Sequence, residues 1–190
     1  MTKDDIRKTN KRIRDAMSIG EREIFSSKIC TWLNDYINDH PKILNILCFY
    51  PKESEVSLIP LYEDLSGMYR LYFPVTDGSK MTFHMVSEFV SSSFAPGGFN
   101  INEPKDRSVI FPGDASLDEG TIVLVPGLCF DKSTKTRIGY GAGFYDRFLN
   151  DHPDILKIGV AYDFMMMDDM PYEPHDTYMD LVITNNDIYE

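Results

Sequence analysis

The chain has 190 residues, of which 43 % are hydrophobic and 26 % are charged, and this suits one ordinary globular domain spanning residues 1–190. No apolar run approaches the ~18 residues of a transmembrane helix, and none follows the N-terminus as in a signal peptide, so we expect a cytoplasmic protein without membrane contact. The net charge of −11 argues against nucleic acid as a partner, because nucleic acids are bound through clustered Lys and Arg.

The first predicted element is an amphipathic helix that carries an unusual amount of positive charge. Residues 1–14 hold six of the nineteen basic residues against two acids. Such a cluster in an acidic protein suits an anionic small molecule, but it also suits a solvated helix face, and charge alone favours the second interpretation. Apolar and basic residues recur at helical spacing on two different faces, namely Ile6, Ile13 and Met17 against Lys3, Arg7, Lys11 and Arg14.

Alternating helices and strands follow this first helix. Ser18, with Glu21 three residues later, predicts a capping box that opens a second helix ending near Asn38. This alternation predicts an α/β fold, a three-layer sandwich with a mostly parallel, Rossmann-like central sheet and helices on both faces. The remaining predicted elements are strands over 43–50, 69–73, 121–125, 156–161 and 181–184, a half-exposed strand over 81–86, and helices over 57–65 and 143–150.

The three cysteines, Cys30, Cys48 and Cys129, lie far apart in the sequence and form no CxxC pair. A disulfide framework or a zinc site needs cysteines that are paired at ligand spacing. Because each cysteine is flanked by apolar residues, we interpret all three as reduced thiols of the core in a cytosolic protein.

The most informative segment, residues 137–147, follows a predicted strand, and open α/β sheets bind ligands at the carboxyl ends of their strands. Its glycines at 139, 141 and 143 let backbone N–H groups approach a phosphate, and the helix that begins near Gly143 adds its positive end. Arg137 offers a bidentate contact to phosphate oxygens, and Asp146 is placed to reach magnesium on those phosphates. The spacing matches neither a Walker A loop nor a GxGxxG fingerprint, and a tight structural turn remains an equal interpretation.

Other polar residues give weaker signals. Asp176 and Asp180 flank the last predicted strand, either as hydrogen-bonding caps, which the residues favour, or as a source of a second magnesium ligand. The chain has four histidines, at His40, His84, His152 and His175. No two of them have the spacing typical of metal ligands.

Four blocks occur in an order and spacing that resemble one known family. The strongest reads VPG, FD and RIGYGAGFYDRFL within residues 125–149, and the others are Lys3-x-x-x-Arg7, the pair Tyr50 and Glu55, and the terminal block from His175-Asp176 through Asp180 to Thr184. Residues 100–104 are similar to a short Ile-x-Glu/Gln-Pro segment of the same family. Together these blocks resemble the 5-formyltetrahydrofolate cyclo-ligases (5,10-methenyltetrahydrofolate synthetases) over nearly the whole chain.

The resemblance implies an ATP- and magnesium-dependent cyclisation of 5-formyltetrahydrofolate to 5,10-methenyltetrahydrofolate, with release of ADP and phosphate. It implies that Arg137 and Tyr145 act in catalysis and that Mg²⁺ is held by Asp146 and Asp180. The residues that it assigns to ATP are Lys3, Arg7, Arg137, Gly139, Tyr140, Gly141, Ala142, Gly143, Phe144 and Tyr145. Those that it assigns to the folate are Tyr50, Glu55 and Phe99.

The sequence departs from the family pattern at a few positions. Residues 132–136 form a longer loop without the usual glycine, Asn100 stands where many members have glycine, and Cys129 where many have alanine. Two alternatives to the ligase stay open, a relative that binds ATP or a phosphorylated metabolite but acts on another substrate, and a non-catalytic interaction module. The intact site residues favour the ligase. We expect small molecules as partners and a monomer, with a weak homodimer left open.

Overall fold

Seven strands build a central sheet in the computed structural model, which describes residues 1–173 and 176–190. The helices are α1 Lys3–Ala16, α2 Ile19–Asp39, α3 Ile59–Leu65 and α4 Phe144–Asp151. The strands are β1 Asn45–Leu47, β2 Arg70–Asp77, β3 Lys80–Val86, β4 Phe94–Pro96, β5 Asn102–Pro104, β6 Thr121–Pro126, β7 Cys129–Asp131, β8 Arg137–Ile138, β9 Leu156–Val160, β10 Met166–Met167, β11 Leu181–Ile183 and β12 Ile188–Tyr189.

The central sheet has the order β12-β11-β9-β6-β1-β2-β3, and its five inner strands are parallel. The edge strands β12 and β3 run antiparallel to their neighbours. From β1 the chain passes through α3 to β2, towards the β3 side of the sheet. From β6 it passes through α4 to β9, towards the β12 side. Because such crossovers are right-handed, α3 and α4 lie on opposite faces. The predicted doubly covered α/β fold is confirmed.

The core extends from the inner face of α2 across the sheet to β11. The central strands β1 and β9 are almost wholly buried, as parallel strands covered on both faces must be. All three cysteines are free thiols, with Cys48 and Cys129 buried and Cys30 half-buried. Burial raises the pKa of the Cys30 and Cys129 thiols to about 11, which keeps them protonated. The interpretation of the cysteines as reduced core thiols is consistent with this placement.

The two N-terminal helices begin at capping boxes. At the second, the Ser18 hydroxyl accepts a bond from the Glu21 amide and the Glu21 carboxylate accepts one from the Ser18 amide, as predicted. The faces of α1 were predicted less well, because Ile13 is 43 % exposed whereas Arg14 is 2 % exposed. In the described part of the chain, no helix has the length and apolar character needed to cross a membrane.

The loop over 132–136 is organised by the side chain of Asp131. One carboxylate oxygen accepts hydrogen bonds from the amides of Ser133 and Thr134, at 3.0 and 2.8 Å, and the other accepts one from the amide of Met170, at 2.8 Å. Lys135 takes a left-handed φ of +56°, the conformation that favours glycine. A carboxylate and one strained residue therefore close this loop without the family's usual glycine.

Asp131→Ala is expected to lower the free energy of unfolding by about 2 kcal/mol at neutral pH. Burial opposes ionisation, but the hydrogen bonds, chiefly from Thr134, Met170 and Ser133, outweigh it and lower the pKa of Asp131 from 3.8 to about 2. The folded-state pKa is thus depressed, so the stabilisation is present above the ordinary value and is lost as the pH falls through about 2. Urea unfolding of both proteins at several pH values measures this.

The matched control for this experiment is Asp154→Ala, because Asp154 is exposed. We expect the difference between wild type and Asp131→Ala to shrink as the pH approaches 2, while the control follows the wild type throughout. A difference that stays constant with pH would show that the carboxylate charge of Asp131 does not stabilise the fold.

Candidate active site

A cavity of about 580 Å³ opens at the carboxyl ends of the central strands. Phe49 and Tyr50 follow β1, Pro126 ends β6, and all three line the cavity. β1 and β6 are neighbours, and the chain leaves them in opposite directions along the sheet. Such a reversal in strand order creates the crevice in which open α/β sheets bind ligands.

The structure brings the expected site residues together in this cavity, with one exception. They come from the N-terminal helix, from the loop after β1, from the segment between β4 and β5, and from residues 137–146. The expected residues that line the cavity are Lys3, Arg7, Tyr50, Glu55, Phe99, Arg137, Gly139, Tyr140, Gly141, Ala142, Gly143, Phe144, Tyr145 and Asp146.

The exception is Asp180, which lies at the amino ends of the parallel strands, away from the cavity at their carboxyl ends. It precedes β11, and its carboxylate accepts a hydrogen bond of 2.7 Å from the Lys157 amide near the start of β9. Both positions are at the amino ends of parallel strands, so the expectation that Asp180 shares a magnesium ion with Asp146 is corrected. Asp180 acts as a hydrogen-bonding cap, and Asp176 lines the cavity in its place. His175 lies outside the described residues.

The glycine loop, residues 137–143, combines a tight turn with an open backbone. Gly141 and Gly143 have φ of +98° and +66°, which side chains rarely tolerate, and α4 begins directly after Gly143. The Arg7 side chain donates a hydrogen bond of 2.9 Å from Nε to the Gly139 carbonyl, which ties α1 to the loop. The two interpretations of this segment, structural turn and ligand loop, are therefore compatible.

Arg137 is almost completely buried, with 6 % of its side chain exposed. Its Nη1 donates to the Pro126 carbonyl and its Nη2 lies 3.2 Å from both carboxylate oxygens of Asp146. The guanidinium also stacks over the Tyr145 ring at 5.2 Å. Burial raises the pKa of Tyr145, so this phenol stays protonated and can donate a hydrogen bond. A fixed cation and a fixed donor thus lie together at the wall of the cavity.

Another part of the cavity carries aromatic rings and a carboxylate. Phe99 is 60 % exposed, has a left-handed φ of +55°, and packs edge-on against Phe144 with ring centroids 5.5 Å apart. The Lys52 side chain donates a bond of 2.9 Å to the Phe99 carbonyl and holds this strained residue in place. Glu55 accepts bonds from the Tyr140 hydroxyl, at 2.7 Å, and from the Lys52 amide, at 2.9 Å. This arrangement suits a flat ring system with polar N–H groups.

Two buried charged residues were not expected to take part in the site. The Glu103 carboxylate accepts bonds from the amides of Thr76 and Gly98 and from Arg107, and it anchors the segment that carries Phe99. The signal for Glu103 was its place in the matching segment 100–104. Arg14 contacts residues of the cavity from behind, and no local pattern distinguished it from the other basic residues of α1.

Three cations of the cavity, Lys3, Arg7 and Arg137, are paired with carboxylates. Lys3 lies 2.5 Å from Asp176 and 2.8 Å from Glu173, and Arg137 is paired with Asp146. Burial opposes protonation of Lys3, but the two carboxylates outweigh it and raise its pKa, so the ammonium stays charged. Within residues 1–173 and 176–190, no three His, Cys, Asp or Glu side chains cluster as a ready-made metal cage.

The family model described as the 5-formyltetrahydrofolate cyclo-ligase family matches residues 1–185 of this chain. The chain belongs to this family. The 5-formyltetrahydrofolate cyclo-ligase of Mycoplasma genitalium is 26 % identical over 184 residues, which cover 96 % of this chain and 98 % of that protein. The Escherichia coli K12 protein of the same name is 28 % identical over 156 residues, which cover 76 % of this chain and 80 % of that protein.

The fold is also that of a solved member of the family. The NMR structure of Aquifex aeolicus 5,10-methenyltetrahydrofolate synthetase matches with a TM-score of 0.83 and 28 % sequence identity, over 99 % of this chain and 92 % of that one. The resemblance seen in the sequence is therefore confirmed, and with it the predicted enzyme class, a ligase of folate metabolism. The predicted function, cyclo-ligation of 5-formyltetrahydrofolate, is confirmed at the level of the family.

Proposed function

We propose that this chain catalyses the ATP- and magnesium-dependent cyclisation of 5-formyltetrahydrofolate to 5,10-methenyltetrahydrofolate, with release of ADP and phosphate. The observation that carries the proposal is one cavity that is lined both by the glycine loop and by Tyr50, Glu55 and Phe99. Phosphoryl transfer between two substrates requires that they meet in one site with their reacting atoms aligned.

The reaction proceeds in two steps. The formyl oxygen attacks the γ-phosphorus of ATP, an O–P bond forms, and the bond to ADP breaks. The second folate nitrogen then attacks the activated formyl carbon and loses its proton, and the C–O bond breaks as phosphate leaves. Phosphoryl transfer depends mainly on positioning and on neutralising charge, which agrees with a cavity rich in fixed cations and backbone amides.

Lys3, Arg7 and Arg137 bind the phosphates of ATP in this proposal, together with the backbone from Gly139 to Tyr145. Lys3 and Arg7 are four residues apart on one face of α1, so both reach the same ligand. The nucleotide phosphates replace Asp176 and Asp146 as the partners of Lys3 and Arg137. This exchange keeps both cations compensated and frees the carboxylates of Asp176 and Asp146 to bind a metal ion.

Asp146 and Asp176 would hold Mg²⁺ once they are released from the cations. Carboxylate oxygens suit this hard ion, which commonly takes one or two protein carboxylates and completes its shell with water and substrate phosphates. When bound, the ion neutralises charge on the phosphates during transfer. Asp176 takes the place that the family resemblance assigned to Asp180.

Tyr50 and Phe99 contact the ring system of the folate, and Glu55 accepts hydrogen bonds from its N–H groups. The Glu55 carboxylate is almost fully buried and already accepts a bond from Tyr140, so its orientation is set before the substrate arrives. An acceptor that is already oriented reduces the entropic cost of ordering the site when the ligand binds.

The proposal is tested by following the near-ultraviolet absorbance of methenyltetrahydrofolate after mixing protein, magnesium, ATP and 5-formyltetrahydrofolate. We expect a rise in absorbance that requires ATP. No rise, with ATP still raising the melting temperature, would favour a relative that acts on another substrate. No response of either kind would favour a non-catalytic module.

Gly139→Ala is expected to lower kcat by about 10²-fold, because misplacing a catalytic group by about 1 Å can have that effect. A methyl group at this position would lie 2.7 Å from Nη1 of Arg137 and would displace the guanidinium. The matched control is Gly20→Ala on α2, where a methyl group meets no atom within 4 Å. Initial rates of the two variants measure the effect, and equal rates would show that the position of Arg137 does not limit catalysis.

Residues 1–190 act as one domain in this proposal, because the main hydrophobic core extends from α2 to β11. Its partners are the two small-molecule substrates. We expect the protein to be a monomer in the cytoplasm, with a weak homodimer as the alternative, and sedimentation at several concentrations distinguishes the two states.

A further inference from the structure

Arg14 is a buried cation that lies behind the cavity, near the C-terminal end of α1. Only 2 % of the residue is exposed. Its Nη2 donates a hydrogen bond of 2.5 Å to the Tyr140 hydroxyl, its Nε donates one of 3.1 Å to the Ser54 hydroxyl, and its Nη1 lies 3.9 Å from the Glu55 carboxylate. One guanidinium therefore contacts the glycine loop and the loop that follows β1.

The Tyr140 hydroxyl closes this network. It donates a bond of 2.7 Å to the same Glu55 oxygen that faces Arg14. Burial, followed by the charge of Glu55, raises the pKa of Tyr140, so the hydroxyl keeps the proton that it donates. Arg14, Tyr140 and Glu55 thus contact one another pairwise, so that moving one group disturbs its contacts with both of the others.

The helix that carries Arg14 also contacts the nucleotide end of the cavity. Arg7, two turns earlier on α1, donates its bond to Gly139, and Tyr140 is the next residue. Tyr140 and Glu55 both line the cavity, whereas Arg14 does not. Burying the charge of an arginine costs free energy unless its hydrogen bonds and ion pair are formed. The network therefore favours one arrangement of the glycine loop and of the loop that follows β1.

We propose that Arg14 is a positioning residue that couples the two substrate subsites. It fixes the Tyr140 hydroxyl and the Glu55 carboxylate in one arrangement, so that a nucleotide ordering the glycine loop also orders the carboxylate that receives the folate. The inference rests on the proposed function of the cavity. Coupling of this kind is reciprocal, so each substrate raises the affinity of the other by the same factor.

Titration calorimetry tests the coupling by measuring the Kd of 5-formyltetrahydrofolate with and without a non-hydrolysable ATP analogue and magnesium. We expect the analogue to tighten folate binding to the wild type by about 5-fold or more. Arg14→Gln and Tyr140→Phe should each reduce this ratio to about 1, since each removes one link of the network. The matched control, Arg12→Gln, removes an exposed arginine of the same helix and should keep the wild-type ratio.

A merely structural role of Arg14 would weaken both ligands alike and leave the ratio unchanged, and that result overturns the proposal. Tyr140→Phe keeps the ring and removes one hydroxyl, so it tests the same link even if Arg14→Gln does not fold. A ratio of one in the wild type also overturns the coupling. The absorbance assay on the wild type separates the two proposals. If product forms but Arg14→Gln and Tyr140→Phe keep the wild-type ratio of folate Kd values, the coupling alone is rejected. If no product forms, both proposals are rejected.

Discussion

Arg137→Ala is expected to lower kcat for ring closure by about 10³-fold or more, the effect typical of arginines that stabilise a phosphoryl-transfer transition state. The guanidinium is buried at the wall of the cavity. In the proposed mechanism, charge develops beside it on the transferred phosphoryl group, and burial keeps this interaction from being screened by water. Its five donors in a fixed plane suit phosphate oxygens. Initial rates at saturating ATP and 5-formyltetrahydrofolate measure the loss.

Lys135→Ala is the matched control for this variant. Lys135 is a cation two residues earlier in the chain, but it is only half-buried and lies outside the cavity lining. We expect its rate to stay close to that of the wild type. Because Arg137 also bonds Asp146 and Pro126, thermal unfolding of each variant separates lost catalysis from lost stability. If the two variants had the same rate, the placement of the nucleotide phosphates at Arg137 would be wrong.

Asp146→Asn is expected to raise the magnesium concentration needed for half-maximal rate by about 10- to 100-fold, a range typical of a weakened metal site. The change removes a negative charge and one of the hard oxygen ligands, while the volume of the side chain stays almost the same. A magnesium titration at fixed, saturating ATP measures the shift. Asp176→Asn should shift the requirement in the same direction.

Asp180→Asn provides the control, because Asp180 accepts its bond from Lys157 at the far edge of the sheet. We expect its magnesium requirement to equal that of the wild type. An unchanged requirement in Asp146→Asn would remove Asp146 from the metal site. A shift in Asp180→Asn as large as that of Asp146→Asn would contradict the assignment of the metal to the cavity.

Local patterns predicted much of the fold. The capping box of Ser18 and Glu21, the apolar strands and the glycine loop depend on residues that are close in sequence, and spacing reveals them. The rule that ligands bind at the carboxyl ends of strands then placed the glycine loop and Tyr50 at one edge of the sheet. The cavity forms where β1 and β6 are adjacent in the sheet. This pairing could not be predicted from the order of the elements along the chain.

Long-range contacts decided the parts that the sequence did not predict. Arg14 looked like its solvated neighbours, because its partners lie 40 and 126 residues away. Asp176 and Asp180 are four residues apart, and their spacing does not show which of them lines the cavity. The structure places Asp176 there, whereas Asp180 lies at the amino ends of the strands. The hairpin of β7 and β8 was missed because two- and three-residue strands show no periodicity.

In the proposed mechanism, the γ-phosphate of ATP and the formyl oxygen of the folate meet in this cavity. The most direct test uses 5-formyltetrahydrofolate labelled with ¹⁸O in the formyl group, ATP and magnesium, with mass spectrometry of the released phosphate. The mechanism predicts that the label leaves with phosphate, in step with the methenyltetrahydrofolate that forms. Unlabelled phosphate, with the label in water, would show that ATP is hydrolysed separately from ring closure and would contradict the account.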